Sequence, residues 1–158
     1  MPFSIDLFVC IAYKLQMADD VKLISGGCFC RAIRYQSSAG PLDALICQCR
    51  DCQYDSGTGH SCHVMLPKRS LVISGSIKMF DAVADSGNAI RRGFCPECGS
   101  SLVYETAAFP KAVFVTAGSL DDPSLFAPSM VVYTASAQGW DRVDPALPAF
   151  AGMAERGR

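Results

Sequence analysis

A chain of 158 residues that is half apolar and 18% charged is long enough for one domain with a packed core, and its composition is not that of a disordered segment. Its formal net charge of −1, with no basic run, excludes the electrostatic footprint of a nucleic-acid or anionic-membrane partner. Nine cysteines would suit a secreted disulfide scaffold, but the number is odd and the spacings fit a shared metal, so the expected compartment is the reducing cytoplasm.

The first apolar run, Leu7–Tyr13, is too short to span a bilayer. With Asp6 before it and no preceding base, it is also a poor signal peptide. Residues 1–22 are therefore expected to be an extension outside the functional core, and Cys10 an ordinary free thiol. Residues 23–151 are expected to form the domain, and 152–158 a C-terminal tail.

From there the chain reads as short β-like runs broken by Gly, Pro, Asp and Ser. Ala32–Gln36 alternates apolar and polar, and Ala44-Leu45-Ile46 is a brief apolar run. Val64–Leu66, Leu71–Ile73 and Ile77–Phe80 follow as successive strands. Arg91–Phe94, Leu102–Tyr104, Ala112–Thr116 and Met130–Tyr133 continue the pattern. No stretch has a long amphipathic helical period, so any helix is short, within Cys49–Ser56 or Pro123–Phe126. The class is mainly β, in several small sheets.

Seven cysteines fall into three clusters: Cys28-Phe29-Cys30, the Cys47/Cys49/Cys52 triplet, and Cys95-Pro96-Glu97-Cys98. Two pairs supply four ligands, which close a tetrahedral zinc site; a triplet supplies three, which leaves a position open for chemistry. Gly26-Gly27 before the first pair permits a tight approach. Pro96 and Gly99 shape the last pair into a knuckle whose amides can reach sulfur. Sulfur ligands alone do not exclude iron. The expected cofactors are two Zn²⁺, one structural at Cys28, Cys30, Cys95 and Cys98, and one catalytic at Cys47, Cys49 and Cys52. Seven thiolates around two Zn²⁺ would bring the net charge to roughly −4.

Alternatives stay open at the triplet. His60 or His63 could close it as a second structural site, and the three thiols could instead be redox-active. Cys62 reads as a small buried hydrophobe. Arg34, Arg91 and Arg92 could receive a substrate carboxylate, although solvated strand faces are the simpler reading. Asp121-Asp122-Pro123 reads as a turn, and the lone Trp140 as core or rim.

The segment Gly26-Gly27-Cys28-Phe29-Cys30-Arg31-Ala32-Ile33-Arg34-Tyr35 resembles the opening of the glutathione-dependent formaldehyde-activating enzyme family, which includes the CENP-V proteins. The order of later motifs agrees: Cys47-x-Cys49-x-x-Cys52 with Ser56-Gly57, then Arg92-Gly93-Phe94-Cys95-Pro96-Glu97-Cys98-Gly99, then Ala117-Gly118-Ser119-Leu120-Asp121, and Leu147-Pro148-Ala149-Phe150 at the close. The resemblance implies an Mss4-like fold of small coiled β-sheets clamped by a four-cysteine zinc site, with the triplet as the catalytic zinc site. It implies a carbon–sulfur lyase that joins glutathione to formaldehyde, or cleaves the S-hydroxymethyl adduct. The partners would be a small-molecule thiol and aldehyde, with neither nucleic acid nor membrane. Because the fold also serves in protein partners, a non-catalytic binding module is a further alternative. The chain departs from the family at Gln48 and Gln53, where His and a basic residue are common, and that loss weakens attraction for an anionic thiol.

Overall fold

The computed structural model describes residues 23–84 and 86–154. The expectations for residues 1–22, including Cys10, lie outside that range. Among the described residues, ten strands and one short helix alternate with tight turns and 3₁₀ segments. The strands are β1 (Ile24–Gly27), β2 (Arg34–Ser37), β3 (Asp43–Cys47), β4 (Ser61–Pro67), β5 (Leu71–Ser74), β6 (Lys78–Val83), β7 (Ala89–Phe94), β8 (Ser101–Thr106), β9 (Ala112–Thr116) and β10 (Met130–Val132). Helix α1 spans Arg50–Ser56, and Pro123–Leu125 forms a 3₁₀ turn, so both places expected to hold a short helix do so. Among the described residues, no helix is long and apolar enough to cross a membrane.

The expected mainly β class is what the chain adopts, gathered into two sheets. A three-stranded sheet has the order β1-β2-β5, and a seven-stranded sheet the order β10-β3-β4-β9-β8-β7-β6. Every strand pair is antiparallel except β10 with β3. The runs expected as successive strands are thus scattered: β4 lies inside the large sheet, β5 edges the small one, and β6 edges the large one. β1 was not foreseen, because Gly26-Gly27 reads as a turn. Paired with Tyr35 and Arg34, the two glycines instead end a strand.

Burial follows the pleat. Along β4 and β9, Val64, Leu66, Val113 and Val115 face one side, while His63, Met65, Ala112 and Phe114 face the other. The first face meets Ile24, Ile33 and Tyr35 of the small-sheet region in the main core. The second packs with Leu45, Cys47, Cys52 and Val132. Both faces of β4 and β9 are buried along most of their length, whereas burial alternates along edge strand β5. The large sheet therefore separates two apolar regions, and the triplet belongs to the second.

The small sheet docks closely at Gly26. A Cβ there would lie 2.2 Å from the Ser119 carbonyl oxygen and 2.3 Å from the Tyr35 hydroxyl. That hydroxyl hydrogen-bonds Ser119 at 2.7 Å. Gly26→Ala is expected to lower stability by about 1–3 kcal/mol through overpacking. A urea titration read by tryptophan-independent circular dichroism checks this. An unchanged midpoint would mean that the Ser119 segment yields.

Candidate metal centre and adjoining cavity

Four sulfurs converge where the β1–β2 turn meets the β7–β8 turn. Those of Cys28, Cys30, Cys95 and Cys98 all lie within 4.8 Å of one another. Cys28 and Cys30 are 3.4 Å apart, and Cys30 and Cys95 are 3.7 Å apart. A tetrahedral zinc site with bonds of about 2.3 Å has edges of about 3.8 Å, so the donor set fits that ion. None of the four is in a disulfide. The surrounding turns present donors to sulfur: the Ile33 amide reaches Cys28 Sγ at 3.2 Å, and the Ser100 hydroxyl lies 3.2 Å from Cys98 Sγ. That hydroxyl, with backbone amides behind it, holds the Cys98 thiol down to about 5. Gly99 takes a φ of +73°, and its N–H donates to the Cys95 carbonyl at 2.9 Å, closing the knuckle as its sequence foretold.

The triplet forms a second group. Cys47 ends β3, Cys49 caps the N-terminus of α1, and Cys52 lies in its first turn. Their sulfurs also lie within 4.8 Å of one another, and that group contains only the three cysteines. The Cys52 amide donates to Cys49 Sγ at 3.4 Å. Hydrogen bonds from the Cys47 and Cys52 thiols, with backbone N–H groups, push the Cys49 thiol far down. The bond to Cys49, with burial, pushes Cys47 up to about 12, and Cys47, Cys49 and burial push Cys52 higher still. Two buried sulfurs and one half-buried sulfur gathered this closely are a preformed seat for a cation, which would let all three ionise.

The two histidines separate. His60 Nδ1 is 2.9 Å from both carboxylate oxygens of Asp141, and its ring faces a polar groove beside Cys62, away from the triplet. His63 Nε2 lies 3.6 Å from Cys52 Sγ. Its ring is held between Tyr104 and Phe114 at centroid distances of 5.8 and 6.1 Å. Burial pushes it down to about 4, so the imidazole is neutral. Nδ1 is buried without a hydrogen-bond partner.

The triplet opens on a cavity whose walls include Leu45, Phe109, Phe114, Val132 and Met153. Met153 belongs to the 148–154 segment, which runs along β10 through bonds such as Phe150 N–H to Val131 O (2.9 Å) and Tyr133 N–H to Gly152 O (3.1 Å). Tyr133, also on the wall, has a φ of +59°, a left-handed conformation uncommon outside glycine. Arg92 enters from β7, stacked 6.0 Å over Tyr104. Its guanidinium lies 3.6 Å from Asp51 and 3.7 Å from Asp55, and Nη2 is buried without a hydrogen bond.

Of the arginines considered from sequence, only Arg92 reaches this cavity. Arg34 pairs with Asp121 and Arg91 with Asp81 on exposed faces. Asp122 caps the 3₁₀ turn through the Ser124 amide at 3.0 Å, as a turn residue does. Trp140 is exposed, and Cys62 is half-buried against the main core with burial and Asp141 raising its thiol. Gln48 and Gln53 face elsewhere. Gln48 donates to Asp141 at 2.9 Å, and Gln53 to the carbonyls of Gln48 (2.7 Å) and Ser136 (2.9 Å). Both are buried ties under the cysteine loop rather than cavity walls, so their neutrality acts on the loop's support and not on the surface a ligand touches. The apolar walls themselves escaped sequence reading.

The opposed thiol shifts have a measurable consequence. After mild chelation, Cys49 is expected to react with iodoacetamide at a rate nearly flat from pH 8 down to about pH 5, because it stays a thiolate. Cys62 should react only as pH rises toward and above about 9. Peptide mass spectrometry across pH checks the order, and equal pH profiles for the two would contradict it.

Residues 23–136 match the family described as glutathione-dependent formaldehyde-activating enzyme. A crystal structure of a Rhodobacter sphaeroides protein is similar in fold, with a TM-score of 0.51 at 15% identity, covering 80% of this chain and 98% of that one. No curated protein matches the chain. The match spans most of the chain and includes both cysteine groups, and the chain therefore belongs to the glutathione-dependent formaldehyde-activating enzyme family.

Proposed function

We propose that the chain is a zinc-dependent carbon–sulfur lyase, adding a thiol to formaldehyde or a similar small aldehyde and cleaving the adduct in reverse. The observation that carries this is three clustered sulfurs, with no fourth ligand atom in their group among the described residues, opening on a largely apolar cavity. Zinc at Cys47, Cys49 and Cys52 would supply acidification of a thiol and a fixed seat for its sulfur. A second zinc at Cys28, Cys30, Cys95 and Cys98 would be structural. The family's glutathione and formaldehyde are the first pair to try.

The chain's own groups have separable roles. A His63 ring that donates from Nε2 to Cys52 Sγ presents Nδ1 as an acceptor. Arg92 Nη2 is ion-paired with Asp51 at 3.6 Å, just beyond hydrogen-bond contact. Both residues line the cavity, and a small shift of the two side chains would let Arg92 donate to the oxygen of one hydroxyl and Nδ1 accept its proton. That hydroxyl is the one an S-hydroxymethyl adduct carries. In the addition a carbon–sulfur bond forms, the thiol S–H breaks, and the carbonyl oxygen takes up the proton. Phe109, Phe114 and Tyr104 keep bulk water away, which strengthens the Arg92 contact to the developing charge on oxygen.

Exchange NMR of formaldehyde, glutathione and metal-loaded protein tests the reaction. The adduct is expected to form and break at least about tenfold faster than without protein, with Cys49→Ser returning the rate to background. Spontaneous rates with every thiol offered would overturn the reading in favour of a binding module, and reversible disulfides within the triplet would favour a redox role. Arg92→Met should cut kcat about 100-fold while leaving thiol affinity within about threefold, as fits a donor that acts on the reacting oxygen.

A further inference from the structure

We propose that the cavity selects an uncharged thiol with an apolar body, such as phenylmethanethiol or a branched alkyl thiol, over glutathione. The proposal rests on reading the triplet as the thiol–aldehyde site and names its substrate class.

The walls are the first reason. Leu45, Phe109, Phe114, Val132 and Met153 surround the triplet, and Phe109 meets Phe114 edge-to-face at 5.9 Å. An aryl or branched alkyl group replaces water against such walls with a gain proportional to the apolar area covered. The γ-glutamyl and glycyl arms of glutathione would have to leave hydrogen bonds to water for surfaces with few partners.

Charge is the second reason. At neutral pH glutathione carries two carboxylates and one ammonium. Among the described residues, Arg92 is the only Lys or Arg on the cavity wall, and Asp51 and Asp55 already flank it at 3.6 and 3.7 Å. Three thiolates against a divalent ion leave one further negative charge, so the cavity's field repels an incoming carboxylate. The nearby Arg50 does not relieve this: its guanidinium lies over the Tyr54 ring, 4.9 Å from the centroid, and reaches the Gln53 side chain. Gln48 and Gln53 are held by backbone and Asp141, so they offer the ligand nothing.

The polar side of the cavity asks for little. Arg92 Nη2 is already paired with Asp51, and His63 Nδ1 is a single buried acceptor, so an adduct that brings one hydroxyl needs no further polar contact.

Isothermal titration of the protein as purified, with its metal bound, tests this apart from catalysis. Phenylmethanethiol is expected to bind at least about tenfold more tightly than glutathione. Phe109→Ala, on the exposed 106–112 turn, should weaken phenylmethanethiol about fivefold and leave glutathione within about twofold. Ser86→Lys, exposed on the cavity wall, should strengthen glutathione severalfold and leave phenylmethanethiol unchanged, because it supplies the missing cation. Glutathione binding as tightly as phenylmethanethiol, or Ser86→Lys without effect on it, would overturn the preference and leave thiol–aldehyde chemistry standing. Failure of every thiol to bind would overturn both.

Discussion

The rest of the molecule depends on the point where the β1–β2 turn meets the β7–β8 turn. Four thiol sulfurs, two from each turn and 65 residues apart at Cys30 and Cys95, are gathered there within 4.8 Å. A chain of this size has limited core, and a metal joining two distant turns would contribute folding energy of order 10 kcal/mol. The junction holds the small sheet against one face of the large one. Tyr35, Ser119 and Gly26 pack around it at distances that admit no further atom. With one face of the large sheet spent on the core, the other is free to carry a site.

That second face is where the chemistry gathers, and the pleat decides which residues join it. Cys47, His63, Phe114, Tyr104 and Arg92 come from five different strands, and register brings them to one side. A slip of one residue in β4 would exchange His63 and Met65 for Val64 and Leu66. The loop from Cys47 to Cys52 folds back over this face because Gln48 and Gln53 tie it to Asp141 and to the Ser136 carbonyl. A site built on strands and supported from behind keeps its geometry before any ligand arrives. His63 Nδ1, buried beside the aromatic wall without a hydrogen-bond partner, is a polar atom that this face leaves unsatisfied.

Much of this was legible in the chain. Cysteine spacing alone sorted seven thiols into a four and a three, because ligands of one metal must lie on tight turns, and such turns leave local marks such as Gly99. The short apolar runs located nine of the ten strands, since edge and central strands differ in pattern. β1 was hidden because two glycines end it, and a glycine pair reads as a turn unless the strand opposite is known. The cavity walls were hidden for a different reason: Phe109, Tyr133 and Met153 are remote in sequence and meet only through the path of the 148–154 segment. Gln48 and Gln53 were noticed as departures from the family, but their direction, inward to the loop's support, is a tertiary fact. The site's polarity is therefore set by Arg92, Asp51 and the aromatic wall.

The central claim is that one metal is closed by four cysteines while the other, held by three, keeps a place for a thiol. X-ray absorption at the zinc edge of the native protein tests it most directly. Before substrate, the account predicts two zincs per chain and an average of about three and a half sulfurs per metal, rising to about four when a thiol is added. A single zinc per chain, or four sulfurs per metal that thiol leaves unchanged, would contradict it.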